Sequence, residues 1–358
     1  MSMPNTISLA MIVKNEQNYL DRCLKSVAGM VDELVVVDTG STDRTKEIAL
    51  SNGALVFDFE WCGDFSAARN YAIEHTTGDW VLILDADEYF TEDCGALMRD
   101  FVQNGNRIGR FKVISRFDQD GQIHYSEDDS PRLFPRDIRY AGMIHEQVDS
   151  SLPRHDINAS FYHDGYYMTD KSERNLALLH RALEVSPNDP YLLYQIGKQY
   201  RGAGNNTEAE AYLARCYQLL SKHNAIYVIK AKIEWIEVLT NIHKYEQAFN
   251  IVEKEAGHLQ DSPDFHFAVA VLYLEFALNT GSFQQGILAQ IEHSYLTCLE
   301  LGQRGAKEIV NGSSTYLAAY NLAVYYETTG SLDHAKHYYQ YASSHGYEPA
   351  KQRLRQFA

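Results

Sequence analysis

The sequence predicts an α/β domain built on a mostly parallel sheet, followed by a domain made only of helices. Three observations carry this. Trp80-Val81-Leu82-Ile83-Leu84 is apolar without alternation, the pattern of a strand buried on both faces. Strand-like runs alternate with short amphipathic segments over residues 7–84, the order of βαβ units with right-handed crossovers. From Asp170 onward the spacing is helical throughout, which predicts domains over 1–168 and 169–358.

A chain of 358 residues is too long for one small core, in keeping with two domains. The formal charge of -16 argues against a nucleic-acid partner, because phosphate binding calls for a basic surface. An anionic small molecule would need a bridging cation. The five cysteines (Cys23, Cys62, Cys94, Cys216, Cys298) are odd in number and scattered, with no Cys-x-x-Cys, so neither a disulfide framework nor a zinc site is implied. Residues 1–6 lack the parts of a signal peptide, and the apolar run 267–278 is too short for a membrane span and carries Glu275. These features predict a soluble, cytoplasmic protein.

In chain order, a strand over 7–13 ends at Lys14-Asn15-Glu16, and Tyr19, Leu20, Cys23, Leu24 and Val27 then recur at helical spacing. A strand over 33–37 ends in Asp38-Thr39-Gly40-Ser41-Thr42-Asp43, and a helix over 45–50 closes at Asn52-Gly53. A third strand over 54–59 and a helix over 65–75 lead to the strand 80–84, which stops at Asp85-Ala86-Asp87-Glu88. Carboxylates crowded at the end of a buried strand repel one another, so the cluster implies a cation or a web of donors. Strand ends are also where open α/β sheets bind ligands. No Gly-x-Gly-x-x-Gly and no P-loop follows the first strand, which disfavours dinucleotide and P-loop folds.

After a helix over 92–102, residues 110–116 alternate, Asp118-Gln119-Asp120-Gly121 signals a turn, and 122–125 returns as the second strand of a hairpin. Residues 140–148 read as a further strand. Period two then sets Glu146 on a face with Ile144 and Val148, among apolar neighbours where a surface carboxylate is not expected. One more strand, over 159–162, ends in His163.

In the helical half, Leu193, Ile196, Gly197, Tyr200, Ala209, Leu213 and Cys216 occupy the small and large positions of a two-helix unit whose turn is Gly202-Ala203-Gly204-Asn205. Leu322, Ala323, Tyr326, Gly330, Ala335, Tyr339 and Ala342 reproduce the set, and 235–255 and 267–301 are degraded versions. The pattern resembles the tetratricopeptide repeat, whose period is about 34 residues. An ordinary helical bundle is the competing reading. Such repeats stack into a superhelix with a concave binding face, and a homodimer through them is compatible with this.

Four pieces stand out in the amino-terminal half: the opening Ile7-Ser8-Leu9-Ala10-Met11-Ile12-Val13-Lys14-Asn15-Glu16, Val36-Val37-Asp38-Thr39-Gly40-Ser41-Thr42-Asp43, Phe65-Ser66-Ala67-Ala68-Arg69-Asn70, and Leu84-Asp85-Ala86-Asp87. Together, in this order, they resemble a family 2, GT-A-fold inverting glycosyltransferase. With repeats behind such a domain, the architecture is similar to bacterial enzymes that attach sugars to Cys or Ser of bacteriocin precursors. The resemblance implies that Val13, Lys14, Asn15, Glu16, Asp38, Arg69, Asp85, Ala86 and Arg132 line a UDP-sugar donor. Asp38 would contact uracil, Arg69 the nucleotide or its diphosphate, and Arg132 the diphosphate. For Arg69 the competing reading is a surface helix arginine paired with Asp64.

By the same resemblance Asp87 binds Mn²⁺ or Mg²⁺, and Asp85 the ribose or metal-bound water. His163 is a further metal or phosphate ligand, or else a structural histidine in a turn. Glu146, its pKa raised by a partly apolar setting, is the expected base that deprotonates the acceptor, with His145 as the alternative. The implied activity is metal-dependent transfer of a hexose from a UDP-sugar to a Cys or Ser side chain of a peptide. Alternatives are a transferase of surface-polysaccharide or lipid-linked glycan synthesis and a non-catalytic repeat scaffold.

Overall fold

The continuous apolar runs form parallel strands joined by short helices. In order they give β1 (Ile7–Val13), α1 (Leu20–Ser26), β2 (Glu33–Asp38), α2 (Thr45–Ser51), β3 (Leu55–Asp58), α3 (Phe65–Glu74) and β4 (Trp80–Ile83). The computed structural model describes residues 5–119, 122–164, 172–220 and 226–357. β1 lies parallel to β2, Val13 beside Asp38, and to β4, Ala10 beside Ile83. Leu9, Met11 and Leu82 pack with α1, Met98 and Phe101 on one face, and Ala10, Val81 and Ile83 pack with Ala72 and Ile73 of α3 on the other. Apolar side chains on both faces are what the unbroken sequence pattern requires.

The next segment contains β5 (Glu88–Phe90), α4 (Gly95–Gln103), β6 (Ile108–Gln119), β7 (Gln122–Pro135), β8 (Arg139–Ala141), β9 (Gln147–Asp149), β10 (Arg154–His163) and α5 (Ser172–Val185). The main sheet runs β3-β2-β1-β4-β7-β6-β10-β5. It is mixed, because β7 is antiparallel to β4 and β6, and β5 is antiparallel to β10. A tight hairpin can only join antiparallel strands, so the β6–β7 turn forces this change of direction. Asp120 and Gly121, at the predicted turn, lie outside the described residues.

Two features depart further from the sequence reading. β7 extends through Pro131 and Arg132, and Gly109 faces Leu133 while Arg110 faces Pro131. Arg132 is therefore the extra residue of a β-bulge, a device that re-aims a side chain. The continuous strand expected over 140–148 is absent. β8 and β9 pair antiparallel, Tyr140 beside Val148, across a loop in which Gly142 has φ 98° and His145 φ 51°. Extended backbone does not accommodate two such residues, so Glu146 belongs to a turn and not to a strand face.

The chain divides into two compact units, Met1–Glu184 and Val185–Ala358; the boundary predicted after residue 168 lies outside the described residues. The second unit contains α6 (Pro190–Gly202), α7 (Asn206–Leu219), α8 (Ile226–Asn241), α9 (Tyr245–Leu259), α10 (Pro263–Thr280), α11 (Gln285–Gln303), α12 (Tyr316–Thr328), α13 (Leu332–Ser344) and α14 (Glu348–Leu354). These pair consecutively as tetratricopeptide-like two-helix units, with α8 also against α6 and α10. Gly197 shows why a small residue recurs: a Cβ there would sit 2.6 Å from Leu213 Cγ.

Arg201 of α6 bridges Glu234 at 2.7 Å and Glu237 at 2.6 Å on α8. Burial pushes the Glu237 carboxyl up to about 7 despite Arg201, and the Glu234 and Asp264 charges act in the same direction. The unfolded chain releases this proton at about 4.3. Between there and about 7 the folded state binds more protons, so stability falls as pH rises through that window. Glu237→Gln is expected to remove this slope from thermal unfolding measured against pH and to raise Tm at pH 8.

Candidate active site at the carboxyl ends of β1, β2 and β4

Strand order reverses at β2-β1-β4, and the crevice outside such a reversal is where open α/β sheets take ligands. The loops after β1 and β2 are laced together there. Asn15, at φ 58°, accepts the Thr42 N–H on Oδ1 at 2.8 Å and gives its own N–H to Ser41 Oγ at 2.8 Å. Glu16 N–H reaches Thr45 Oγ1 at 2.7 Å, and Thr39 N–H reaches the Val13 carbonyl at 2.9 Å. Asp38 is fully buried, and its Oδ1 accepts the N–H groups of Gly40 (2.9 Å) and Ser41 (2.8 Å). Gly40 turns the chain back at φ 105°, where a side chain would be strained. Lys46 Nζ stands 3.9 Å from the same oxygen and pairs with Asp58. Among the described residues, Asp38 Oδ2 is buried with no hydrogen-bond partner.

Arg69 is on α3, whose N-cap is Asp64: the carboxylate accepts the Ala67 N–H at 3.0 Å and the Ser66 hydroxyl at 2.8 Å. The Asp64 partner considered for Arg69 is thus engaged in capping. The guanidinium instead turns inward, donating from Nε to Glu146 Oε1 at 2.5 Å and from Nη2 to Asp85 Oδ1 at 2.9 Å. Arg132, turned by its bulge, donates from Nη2 to Glu88 Oε1 at 2.6 Å, with Nη1 4.0 Å from Asp85 Oδ2. Glu88 Oε2 accepts the Asp85 N–H at 2.8 Å. The result is an alternating chain of charge, Glu146, Arg69, Asp85, Arg132, Glu88. The apolar surroundings expected for Glu146 are replaced by a guanidinium, because its turn faces α3.

The protonation of this chain follows from its order. Burial alone would raise Asp85, but the Arg69 and Arg132 charges outweigh it and hold the carboxyl well below its usual value. Burial would lower Arg69, yet Asp85 and Glu146 keep it above the ordinary guanidinium value. Glu88, almost fully buried, is pushed up by burial to about 7 in spite of Arg132.

Asp87 is buried, its carbonyl accepts the Asp164 N–H at 3.1 Å, and its Oδ2 is 3.6 Å from His163 Nε2. Burial lowers the His163 pKa, but the carboxylates of Asp87, Glu88 and Asp85 more than reverse this. Asp87 Oδ1 is buried with no hydrogen-bond partner among the described residues. Arg69, Arg132 and His163 stand among four carboxylates, those of Asp85, Asp87, Glu88 and Glu146, an excess of acid that suits a cation. Among the described residues, no three His, Cys, Asp or Glu side chains converge as a complete metal cage.

The fold thus joins Arg69, Asp85, Arg132 and Glu146 in one network, and sets Asp87 beside His163. Val13, Asn15, Glu16 and Asp38 form the neighbouring strand-end loops, and Ala86 is buried between the two aspartates. Lys14 is exposed and takes no part in these hydrogen bonds, and the His145 carbonyl accepts Gln147 Nε2 at 2.9 Å. Two residues quoted in the sequence motifs but given no role there also contribute, Glu88 and Asn70. A carboxylate opening the strand-like Glu88-Tyr89-Phe90 was the available signal for the first, since buried acids need a partner.

The model of the family "Glycosyl transferase family 2" matches residues 8–153. The SPbeta prophage-derived glycosyltransferase SunS of Bacillus subtilis is 30% identical over 292 residues, covering 77% of this chain and 69% of SunS. The chain belongs to glycosyltransferase family 2. A TPR repeat-containing protein of Synechococcus elongatus is 38% identical to this glycosyltransferase over 225 residues, covering 58% of this chain. The match spans 55% of that relative's length. A solved structure of MamA from Desulfovibrio magneticus is a distant likeness, with TM-score 0.39 and 15% identity over 50% of this chain and 86% of MamA. No helix among the described residues is long and apolar enough to cross a membrane.

Arg69 is the group on which the two carboxylates of the glycosyltransferase network rely. Removing one member of a buried ion pair costs about 3–5 kcal/mol, because the remaining charge is left without a partner. Arg69→Ala is expected to lower unfolding free energy by about that amount in denaturant titrations. A loss below about 1 kcal/mol, the size seen for exposed pairs, would show that the network does not hold these elements together.

Proposed function

We propose that this glycosyltransferase moves a hexose from a UDP-sugar to a Cys or Ser side chain of a peptide, such as a bacteriocin precursor, with Mn²⁺ or Mg²⁺. The observation that carries the reading is the pair of buried carboxylate oxygens without partners among the described residues, Asp38 Oδ2 at the end of β2 and Asp87 Oδ1 beyond the end of β4, on either side of β1. A carboxylate oxygen left without a donor costs about 1–3 kcal/mol, a cost that a bound ligand removes. Asp38 Oδ2 suits a ring N–H of uracil, and Asp87 Oδ1 suits a divalent cation. A non-catalytic scaffold has no use for either.

An acid-rich site repels a diphosphate, so donor binding here calls for a bridging cation. Asp87 and His163 would hold it, with diphosphate oxygens and water completing the shell, the usual arrangement for Mg²⁺ at phosphate sites. When bound, the ion offsets charge on the departing nucleoside diphosphate. Arg132, with its Nε buried and unpartnered among the described residues, lies beside Asp85 to steady the diphosphate. Asp85 serves the ribose, held ready by Arg69.

Glu146 acts as the acceptor base in this reading, one oxygen fixed by Arg69 and the other left for the acceptor. A thiol, whose pKa is about 8.5, asks less of a base than a hydroxyl does. The repeats grip the peptide, the enzyme works in the cytoplasm, and a homodimer would form through the helical unit.

Asp87→Ala and excess EDTA are each expected to abolish turnover of UDP-glucose with a peptide acceptor, leaving circular dichroism unchanged. Full turnover in EDTA would rule out the metal.

Glu146→Gln is expected to lower maximal rate by about a hundredfold or more, with UDP affinity nearly constant. For a Cys peptide the loss should shrink as pH approaches the thiol pKa, because solvent then supplies the thiolate. Wild-type transfer to a Ser peptide by Glu146→Gln near pH 7 would transfer the base role to His145.

A further inference from the structure

Helix α3 holds the turn between β8 and β9 at three points. Phe65 gives its N–H to the Met143 carbonyl at 2.8 Å, and Arg69 donates to Glu146 at 2.5 Å. Asn70 applies both ends of its amide to a single residue: Nδ2 donates to the Tyr140 carbonyl at 2.9 Å, and Oδ1 accepts the Tyr140 N–H at 2.8 Å. Because one partner is a backbone donor and the other a backbone acceptor, the amide orientation is fixed by chemistry. Tyr140 pairs in register with Val148, yet its own N–H and C=O point away to α3. Asn70 thus does for β8 what a neighbouring strand would do.

The turn needs such an anchor. Ala141 and Gly142 are exposed, Gly142 and His145 have positive φ, and β8 and β9 are three residues each. A two-stranded sheet this short does not hold its own register. The loops that surround Asp38 make none of their hydrogen bonds to Asn70.

We propose that Asn70 is a positioning residue for acceptor transfer, setting the height of the β8–β9 turn so that Glu146 meets the acceptor. The proposal rests on the reading of Glu146 as base. Displacement of a reacting group by about 1 Å costs up to a hundredfold in rate. Asn70→Ala should therefore lower kcat about tenfold to a hundredfold while donor KM and UDP affinity stay within about twofold.

The test uses the full chain, UDP-glucose and a synthetic single-cysteine peptide, with turnover followed by transfer and by release of UDP, and UDP affinity by calorimetry. Asn70→Ala, Glu146→Gln and the double variant form a cycle. If Asn70 acts through Glu146, the Asn70→Ala loss seen in the wild-type background largely disappears in the Glu146→Gln background. Equal losses in both backgrounds, or a parallel collapse of UDP affinity, would overturn the proposal. If Glu146→Gln alone is silent, the base reading fails. The anchor is then judged by Asn70→Ala alone: a tenfold fall in kcat at unchanged UDP affinity supports it, and wild-type kcat refutes it. Should Asn70→Ala fail to fold, Asn70→Asp keeps the acceptor for the Tyr140 N–H but loses the donor and sets a charged oxygen against the Tyr140 carbonyl. A partial kcat loss by that variant supports the proposal, and none refutes it.

Discussion

One buried guanidinium organises the amino-terminal unit. Arg69 lies between Glu146 and Asp85, and through them it ties α3 to the β8–β9 turn and to the end of β4. Ionised groups are costly to bury singly, so the buried Arg69 and the nearly buried Glu146 stabilise each other, with the half-exposed Asp85 as the second partner. Arg132 repeats the device on the other side of Asp85, with Glu88 as its second partner. The two arginines thereby orient the carboxylates in advance, which is what a site needs if chemistry is to proceed without reorganising side chains.

The ends of β1 and β2 are built differently. There the work is done by backbone and small polar residues: Asp38 is gripped by two N–H groups, and Asn15, Ser41, Thr42 and Thr45 bind the β1 and β2 loops to each other. Such a loop pair is rigid without many apolar contacts, because each polar group is paired locally. The atoms left over, Asp38 Oδ2 and Asp87 Oδ1, mark where an incoming ligand would complete the hydrogen bonding.

Much of this was legible in the sequence wherever the pattern was local. Apolar runs of five to seven residues ending in Asp or Asn gave β1, β2 and β4 and their loops, and Gly197 against Leu213 explained the small position of the two-helix unit. What was not legible depended on partners far away in the chain. Glu146 and Arg69 are 77 residues apart, so no spacing rule announces their pairing. His145-Glu146 within apolar sequence has strand-like alternation, and only the positive φ of Gly142 and His145 turns it into a loop. Asn70 looked like one more polar residue on a helix, because reciprocal bonding to Tyr140 leaves no mark on composition.

The bulge at Arg132 also sets the parity of everything beyond it on β7. Leu133 and Ser130 share a sheet face although they are three residues apart, since they face Gly109 and Phe111, two residues apart on β6. Removing Arg132 would restore strict alternation while Pro131 and Ser130 kept Arg110 and Phe111 as their partners, so the faces of the hairpin would stay as they are. A single inserted residue thus leaves the pairing of the hairpin intact and supplies the arginine that reaches Glu88 and Asp85.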